Sequence, residues 1–325
     1  MVFAQSAPGG WRTAGILLGC LADAVFADPR RAHPVAGFGL IANSLERGLY
    51  RDSRLYGAIY TTALVAGLAG VGAFAQSRAR SAVLRTAITA AATWVALGGT
   101  TLVRTGSSIA DRLDADDIDG ARAVLPSLCG RDPAVLDGPG LTRAAVESVA
   151  ENTSDAHVAP LLWAAIGGAP AVLAYRGINT LDAMVGHRSD RYRRFGWAAA
   201  RLDDAANFAA ARLTAVLVAL CAPVVGGSAS GAIRAWRRDA ARHPSPNAGV
   251  TEAAFAGALG LQLGGPTQYR HELEIRPTLG DGRRPEVGDL RRAVRLSRAV
   301  QISAVAVTAA LSAVGRSGRP VSPRL

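Results

Sequence analysis

Five apolar stretches, separated by polar segments rich in arginine, constrain the fold of this chain more than any other feature. Each has 17 to 21 residues and no charged side chain. A helix needs about 20 predominantly apolar residues to cross a bilayer. The sequence therefore predicts an all-α, polytopic membrane protein with about five transmembrane helices. The stretches are Gly57–Phe74, Thr86–Val103, Val158–Tyr175, Leu213–Ile233 and Ala299–Gly315.

The charge balance supports a membrane protein and argues against several other classes. Only 19% of residues are charged, the net charge is +11, and every basic residue is an arginine. Arginine in short loops marks the cytoplasmic side of a membrane protein. Nucleic-acid binding is less favoured because no aromatic platforms lie among the arginines. The absence of lysine excludes a Walker A loop, which needs Gly-Lys followed by Ser or Thr.

The remaining composition favours a single integral-membrane domain over residues 1–325, with short polar tails. Cys20, Cys129 and Cys221 are far apart and lack ligand-spaced histidines, so neither structural zinc nor a disulfide framework is expected. The stretch Met1–Thr13 lacks the basic and apolar regions of a signal peptide, so no cleavage is expected. Between the spans, Ser107–Arg122 is predicted to form an amphipathic helix with an acidic face.

Three carboxylates recur at intervals of four residues in the run ESVAENTSD, residues 147–155. On a helix, Glu147, Glu151 and Asp155 would share one face. The simpler interpretation is a solvated acidic face. Because the run leads directly into an apolar span, where ionisable groups are costly, we favour a functional site. A Mg²⁺ ion, which prefers oxygen ligands, would relieve the repulsion between the carboxylates.

A second polar run, YRGINTLDAMVGHR, follows the third span at residues 175–188. Asn179 and Asp182 are three residues apart, within reach of one ion or hydroxyl on a helix. Arg176 and Arg188 can each bind a phosphate or carboxylate through two hydrogen bonds. The alternative for each arginine alone is contact with lipid headgroups.

A third run, ARLDDAANFAAAR, covers residues 200–212. Asp203 and Asn207 lie one helical turn apart, which suits Mg²⁺–phosphate chemistry near a bilayer. The alternative is that Asp203, Asp204, Arg201 and Arg212 form structural ion pairs. Two loops add polar residues, at Asp28-Pro29-Arg30 with His33 and at SPNAGVTE, residues 245–252. In the second loop, Glu252 reads as an ordinary acid near a helix start.

In this order, these motifs resemble the CobD/CbiB family, the adenosylcobinamide-phosphate synthases of cobalamin biosynthesis. The resemblance covers most of the chain, from about residue 15 to residue 285. It is carried by DPR with HPV, ESVAENTSD, YRGINTLDAMVGHR, FG, ARLDDAANFAAAR, SPNAGVTEAAFAGALGLQLGG and LGDG.

The resemblance implies a multi-pass protein of the inner cell membrane with its active site on the cytoplasmic side. The implied reaction joins (R)-1-aminopropan-2-ol, or its phosphate, to a propionate side chain of adenosylcobyric acid as an amide. ATP and Mg²⁺ are the implied cofactors, because a carboxylate must be activated, most simply as an acyl phosphate. The implied partners are the two substrates, membrane lipid and other late cobalamin-pathway enzymes in the membrane, but no nucleic acid.

From residue type we assign hypothetical roles within that reaction. The acids predicted to hold Mg²⁺ or act as base are Glu147, Glu151, Asp155, Asp182 and Asp203, with Glu151, Asp155 and Asp203 as the metal ligands. The residues predicted to bind phosphates are Arg176, Arg188 and Arg201. Those predicted to orient substrate amides are Asn152, Asn179, Asn207 and Asn247.

Two other functions compete with amide formation. An AmpE-like membrane regulatory or sensor protein would have related spans but would not need the dense Asp, Asn and Arg sets of this chain. A Mg²⁺-dependent prenyl or phosphoalcohol transferase would need a longer D-x-x-x-D pattern than the sequence contains. The polar runs therefore favour the amide-forming ligase.

Overall fold

The computed structural model describes residues 10–29, 33–187, 189–268 and 273–314. Over these residues the chain is almost entirely helical, with a single pair of short strands, so the predicted all-α class is confirmed. In chain order the helices are α1 (Gly10–Phe26), α2 (Pro34–Leu49), α3 (Arg54–Arg78), α4 (Ala82–Ala96), α5 (Gly99–Asp114), α6 (Ile118–Val124), α7 (Gly138–Thr153), α8 (Ala159–Val185), α9 (Tyr192–Phe195), α10 (Trp197–Cys221), α11 (Ala229–Asp239), α12 (Ala248–Leu259) and α13 (Val287–Val314). Strands β1 (Leu263–Gln268) and β2 (Leu273–Leu279) lie between α12 and α13.

Among the described residues, five helical segments have the length and apolar composition needed to cross a membrane. Their number confirms the prediction of five spans. Two of them join consecutive helices, α4 with α5 and α7 with α8, so they extend well beyond the predicted apolar stretches. The segments are Arg54–Arg78, Ala82–Asp114, Gly138–Val185, Trp197–Val225 and Val287–Ala313.

The predicted bounds of the fourth span, Leu213–Ile233, are wrong at both ends. Helix α10 begins 16 residues earlier, at Trp197, and gives way to a short 3₁₀ turn after Cys221. Gly226 then adopts φ = 64°, a left-handed conformation that glycine accepts without a steric penalty and that ends the helical run. The Ser228 side chain caps the new helix α11 by accepting a hydrogen bond from the Gly231 amide.

The single amphipathic helix predicted over Ser107–Arg122 is also wrong, because the chain turns inside it. Helix α5 ends at Asp114, and Asp116 adopts φ = 55°. Aspartate tolerates this left-handed conformation better than most residues. Asp117 then caps α6, its carboxylate accepting a hydrogen bond of 2.9 Å from the Gly120 amide.

The described residues form two compact units, each built from separate stretches of chain. The first unit falls within Met1–Leu97, Pro160–Ala200 and Val305–Leu325, and the second within Gly98–Ala159 and Arg201–Ala304. The prediction of one domain stays a prediction.

In the first unit, a loop following α8 is fastened to α2 and α3. The rings of Tyr60 and Phe195 pack with their centroids 5.1 Å apart. Glu46, 5% exposed, accepts hydrogen bonds of 2.9 Å from both the Arg191 guanidinium and the Tyr192 hydroxyl. The buried carboxylate of Glu46 therefore accepts both hydrogen bonds through Oε1 and holds the loop in place.

In the second unit, helices α11 and α12 approach each other through glycine. A Cβ atom added at Gly231 or at Gly257 would collide with the carbonyl oxygen of the other residue. This backbone-to-backbone contact lets α12 be buried over nearly its whole length. The chain then leaves α12 and forms the antiparallel pair β1–β2, in which Gly265 faces Arg276. The composition of β1, LGGPTQ, gave no strand signal, because glycine and proline are unfavourable in strands.

Candidate functional site

A group of five charged side chains lies in the second unit, and we call it the glutamate–arginine cluster. Glu147, Glu252 and Arg131 are buried, and Glu151 and Arg276 are half-buried. Helix α7 contributes Glu147 and Glu151, α12 contributes Glu252, the loop before α7 contributes Arg131, and β2 contributes Arg276. Burying charges is costly unless they are paired or bound by a ligand. The five side chains therefore call for either an internal structural explanation or a ligand.

Glu147 has such an internal explanation. The side chain is 2% exposed, and its Oε2 accepts a hydrogen bond from the buried guanidinium of Arg131. Its Oε1 accepts a hydrogen bond of 2.7 Å from the Gly264 amide and lies 4.0 Å from Arg143 Nε. Both oxygens are therefore engaged, and Glu147 ties α7 to the start of β1.

The contact with Glu147 shifts the pKa of the Arg131 guanidinium. Its side chain is 6% exposed, and burial by itself would lower the pKa of the guanidinium. The negative charge of Glu147 and the hydrogen bond to it outweigh burial, so the pKa of Arg131 is raised above its ordinary value. Arg131 thus stays charged and acts as the permanent counter-ion of Glu147.

Glu252 contrasts with Glu147, because its carboxylate is buried with little compensation. The residue is 1% exposed on α12, and its Oε1 has no hydrogen-bond partner among the described residues. Arg276 Nη1 lies 3.7 Å from this oxygen and His243 Nε2 lies 3.9 Å from it. Burial, reinforced by the charges of Glu147 and Glu151, raises the pKa of Glu252 well above its ordinary value despite the opposing arginines.

His243 is the neutral member of this region. Its side chain is buried, and its Nδ1 accepts a hydrogen bond of 3.0 Å from the Ser245 amide. Burial, and then the positive charge of Arg276, lower the pKa of His243 below its ordinary value. His243 is therefore uncharged near neutral pH, with its proton on the Nε2 that faces Glu252.

A polar cavity of about 420 Å³ opens beside the Glu147 anchor. Its lining includes Gly264, whose amide binds Glu147, together with Gly265 and the arginines Arg143 and Arg284. The volume falls in the range typical of small-molecule sites. Arginine side chains and glycine backbone are suited to phosphate or carboxylate groups.

The predicted acidic stripe is only partly realised. Glu147 and Glu151 lie on one face of α7, but the helix gives way to a π-helical turn over Ser154–Val158. Asp155 lies within this π turn, which holds an additional residue, so the α-helical spacing used for the prediction does not extend through it. The nearby Asn152 donates its amide N–H to the Ser148 carbonyl at 3.0 Å within the same helix.

The predicted residues of the third run meet the SPNAGVTE loop. Arg212 donates a hydrogen bond of 2.9 Å to the Asn247 side chain, which in turn donates one of 2.8 Å to the Asp204 carbonyl. This fastens the start of α12 to α10. On the same helix Asn207 is buried, Asp203 is half-buried, and the exposed Arg201 lies 3.5 Å from Asp204, as the ion-pair alternative predicts for that pair.

The predicted residues of the second run belong to the first unit. Arg176 Nη1 donates a hydrogen bond of 3.4 Å to Asn179 Oδ1, both on α8. Asp182 follows on the same helix, with its carboxylate against Gly186. Arg188 lies outside the described residues.

Across the described part of the chain, no three His, Cys, Asp or Glu side chains are grouped closely enough to hold a metal ion. Glu151, Asp155 and Asp203 thus do not form an all-protein metal site. Mg²⁺ usually binds through one or two carboxylates together with substrate phosphates. That Glu151, Asp155 and Asp203 take part in Mg²⁺ binding therefore stays a prediction.

Four members of the site were not singled out from the sequence: Glu252, Arg131, His243 and Arg276. Arg131 is 16 residues from the nearest predicted motif, whereas His243 and Arg276 lie just outside the SPNAGVTE and LGDG motifs, and only folding brings these three residues to α7 and α12. Glu252 did carry a signal, because it is the single charged residue of the apolar helix AGVTEAAFAGAL. An isolated acid in a wholly apolar helix indicates a buried carboxylate rather than a cap.

Comparison with known proteins identifies the family. The model of the CobD/Cbib protein family matches residues 16–297. Proteins named cobalamin biosynthesis protein CobD are 65% identical in Mycobacterium tuberculosis, over 92% of this chain and 96% of the relative, and 41% identical in Geobacter metallireducens, over the same shares. No solved structure matches the chain. By family model and by identity along nearly its full length, the chain belongs to the CobD/Cbib family.

Proposed function

We propose that this chain, whose family membership gives it a role in cobalamin biosynthesis, forms an amide between adenosylcobyric acid and (R)-1-aminopropan-2-ol or its phosphate. The observation that carries the proposal is the glutamate–arginine cluster. In it Glu147 is fully bonded, whereas the buried Glu252 Oε1 has no hydrogen-bond partner in the part of the chain that the structure describes. A buried carboxylate oxygen without such a partner is unusual, which supports a ligand there.

The proposed reaction needs three things that the cluster and its surroundings supply. An ammonium group must lose a proton before its nitrogen can attack, which requires a carboxylate or imidazole as base. Negative charge that develops on the carboxyl oxygen must be stabilised, which suits the guanidinium of Arg276. Water must be kept away, which suits the buried position of Glu252 and His243.

The polar cavity fits the phosphate-bearing substrate or ATP. Arg143 and Arg284 line it, and their positive charges suit phosphate oxygens, although the Gly264 amide is already bound to Glu147 and Arg143 donates to the Gly264 and Pro266 carbonyls. When bound, ATP would supply the phosphate that turns the substrate carboxylate into an electrophile. In our proposal Glu151 and Asp203 contribute oxygen ligands to Mg²⁺ held mainly by those phosphates.

We also propose that the protein resides in the inner cell membrane with its arginine-rich loops in the cytoplasm. Lipid is then a permanent partner, and other late cobalamin-pathway enzymes in the membrane are the proposed protein partners. The positive-inside rule supports this orientation, because the loop after α8 and the helix α11 are strongly basic.

The test is an assay on membranes that contain the protein. Adenosylcobyric acid, ATP and Mg²⁺ are supplied with either 1-aminopropan-2-ol or its phosphate, and the corrinoid mass is followed. We expect a mass gain equal to that of the amide, dependent on ATP. Glu151→Gln and Asp203→Asn are expected to abolish the gain while the protein remains inserted, with the exposed Glu286→Gln as the matched control.

A negative result would be equally informative. No mass gain with either amine, from protein shown to be inserted and folded, would contradict the ligase proposal and favour the AmpE-like sensor. Normal turnover in both Glu151→Gln and Asp203→Asn would contradict the Mg²⁺ roles alone.

A further inference from the structure

Helix α1 is not one of the five segments that are long and apolar enough to cross a membrane, yet most of it has the composition of a membrane helix. From Thr13 to Phe26 it has a single charged residue, Asp23. Asp23 is 3% exposed, so its side chain is buried within the protein rather than on the outer surface. Helices in a bilayer typically turn an ionisable group inward in this way.

Two glycines bring α1 into close contact with α4 in the first unit. Gly15 and Gly19 are four residues apart, and they lie against Thr89 and Thr93, which are also four residues apart. A Cβ atom added at either glycine would lie 2.9 Å from a backbone carbonyl oxygen of α4. Small residues at this spacing let helices pack closely in a bilayer, where the hydrophobic effect does not drive two helices together.

The helices α1 and α4 run parallel to each other. Thr86, near the start of α4, donates a hydrogen bond of 3.2 Å to the carbonyl of Trp11, near the start of α1. Trp94, near the end of α4, donates one of 3.1 Å to the carbonyl of Ala27, just after the end of α1. Because α4 belongs to the apolar segment Ala82–Asp114, which can cross a membrane, α1 lies at membrane depth beside it.

The residues at the start of both helices are typical of a membrane–water interface. The guanidinium carbon of Arg12 lies 5.5 Å, and that of Arg85 5.9 Å, from the centre of the Trp11 ring. Tryptophan and arginine side chains are anchors at the edge of the hydrocarbon layer. The part of α1 beyond these anchors has about 14 residues and a length of roughly 21 Å, most of a hydrocarbon core of about 30 Å.

One face of α1 is apolar and exposed, and we call it the outer face. Four large side chains, 44% to 59% exposed, share this face at 3.6 residues per turn: Leu17, Leu18, Leu21 and Val25. An apolar face of this kind is unfavourable in water, because it would promote aggregation. At membrane depth the same face is matched by lipid.

We propose that α1 is a further membrane-embedded helix whose outer face contacts lipid acyl chains. Lipid fits this face better than a second copy of the chain. Helices associate in a bilayer through small or hydrogen-bonding residues, and those of α1, Gly15 and Gly19, already contact α4. The outer face carries leucine and valine instead. The inference concerns the membrane contact alone and is independent of the reaction proposed above.

The test measures the surroundings of nitroxide spin labels on the full chain in lipid nanodiscs by electron paramagnetic resonance. Cysteines replace Leu21 or Val25, one at a time, in a variant in which Cys20, Cys129 and Cys221 are alanine. Molecular oxygen concentrates in lipid, whereas a nickel chelate stays in water. We therefore expect both labels to be several-fold more accessible to oxygen than to the nickel chelate.

Two positions in the same variant provide matched controls. Val71 is 62% exposed on the spanning helix α3, so a label on Val71→Cys should report lipid. Glu286 is exposed outside the spanning segments, so a label on Glu286→Cys should report water. If the labels on α1 behaved like the one at Glu286, α1 would lie outside the bilayer and the proposal would be wrong. Low accessibility to both reagents would overturn the lipid contact and indicate a second protein copy.

A second measurement tests the contact that holds α1 at this depth. Gly15→Ala places a methyl group against the backbone of α4, whereas Gly10→Ala, on the same helix, meets no described atom within 4 Å. The melting temperature in detergent should fall by at least about 2 °C in Gly15→Ala, as overpacking of a tight contact predicts, and stay level in Gly10→Ala. Equal melting temperatures for Gly15→Ala and the wild type would show that α1 is not fixed against α4, which would overturn the argument from depth.

Discussion

Two buried glutamates, one in each compact unit, differ in the hydrogen bonds that their surroundings supply. Glu46 in the first unit accepts two hydrogen bonds of 2.9 Å, from Arg191 and Tyr192. Glu252 in the second unit has an oxygen without a hydrogen bond from any of the described residues, although two donors stand less than 4 Å away. Glu46 holds a loop in place, whereas Glu252 is the acid to which the proposed function gives a role.

The difference shows that burial of an acid does not by itself indicate function. Burial is nearly the same for the two residues, at 5% and 1% exposure. What separates them is whether the protein supplies the hydrogen bonds that burial demands. Substitutions at both positions therefore test the comparison directly.

The largest effect is expected from Glu252→Gln. Removal of a general base typically lowers turnover by about 10²–10⁴-fold. Because no described residue forms a hydrogen bond with Glu252 Oε1, the substitution should leave stability level or raise it. The amide assay and a melting curve in detergent measure the two quantities. A melting temperature that falls as steeply as activity would show that Glu252 is structural, like Glu46.

The next largest effect is expected from Arg131→Met, which leaves the buried Glu147 without its counter-ion. Breaking a buried ion pair in this way costs about 3–5 kcal/mol. Equilibrium unfolding in detergent measures the loss, with the exposed Arg234→Met as control. The double variant with Glu147→Gln should recover part of the stability. If Arg131→Met were as stable as the wild type, Glu147 would not be the anchor described above.

A smaller loss is expected from Glu46→Gln. The glutamine side chain keeps one acceptor oxygen, and water can solvate the partly exposed Arg191. We therefore expect the free energy of unfolding to fall by about 1–3 kcal/mol. Unfolding in detergent measures it. The rate of amide formation per folded molecule should equal that of the wild type. If this rate fell although the protein remained folded, Glu46 would not be purely structural and would not contrast with Glu252.

The smallest effect concerns pH. The pKa of Glu252 is raised, so between its ordinary value of 4.5 and its folded value the folded state binds more protons than the unfolded state. Stability therefore falls as pH rises through this window, by up to about 1.4 kcal/mol per pH unit. The lowered pKa of His243 acts in the opposite direction, but only below its ordinary value of 6.5.

Unfolding of the wild type and Glu252→Gln, compared from pH 4.5 upward, isolates the contribution of Glu252, because His243 is present in both proteins. The charged groups that face it there are Glu147, Glu151, Arg131 and Arg276, with Glu274 acting on His243. The wild type should lose stability relative to the variant as pH rises. Parallel curves would show that Glu252 is solvated in the folded state.

The number of spans and their apolar character could be predicted, because the bilayer sets both length and composition. Their bounds were less predictable wherever one or two residues decide the break. Gly226 ends one helix through its left-handed backbone, and Asp116 does the same with a side chain that sequence reasoning reads as part of an acidic face. Such single-residue breaks compete with a continuous helical pattern, and tertiary packing decides between them.

Only part of the site could be predicted, because sequence spacing connects only residues that are close together in the chain. Glu147 and Glu151 were found because their spacing is local. The π turn that displaces Asp155 has no sequence signal of its own. Arg131, His243 and Arg276 come from a loop, a turn and a strand that meet α7 or α12 only in the fold, so no spacing rule connects them.

The glycine contact between α11 and α12 bears on the rate of the chemistry. With no side chain between Gly231 and Gly257, the backbones touch, and α12 has no soft layer in which to shift. Glu252 sits little more than one turn before this contact on the same helix. The backbone that carries its carboxylate is thus fixed before any ligand arrives, which is the preorganisation that the proposed reaction would need from this helix.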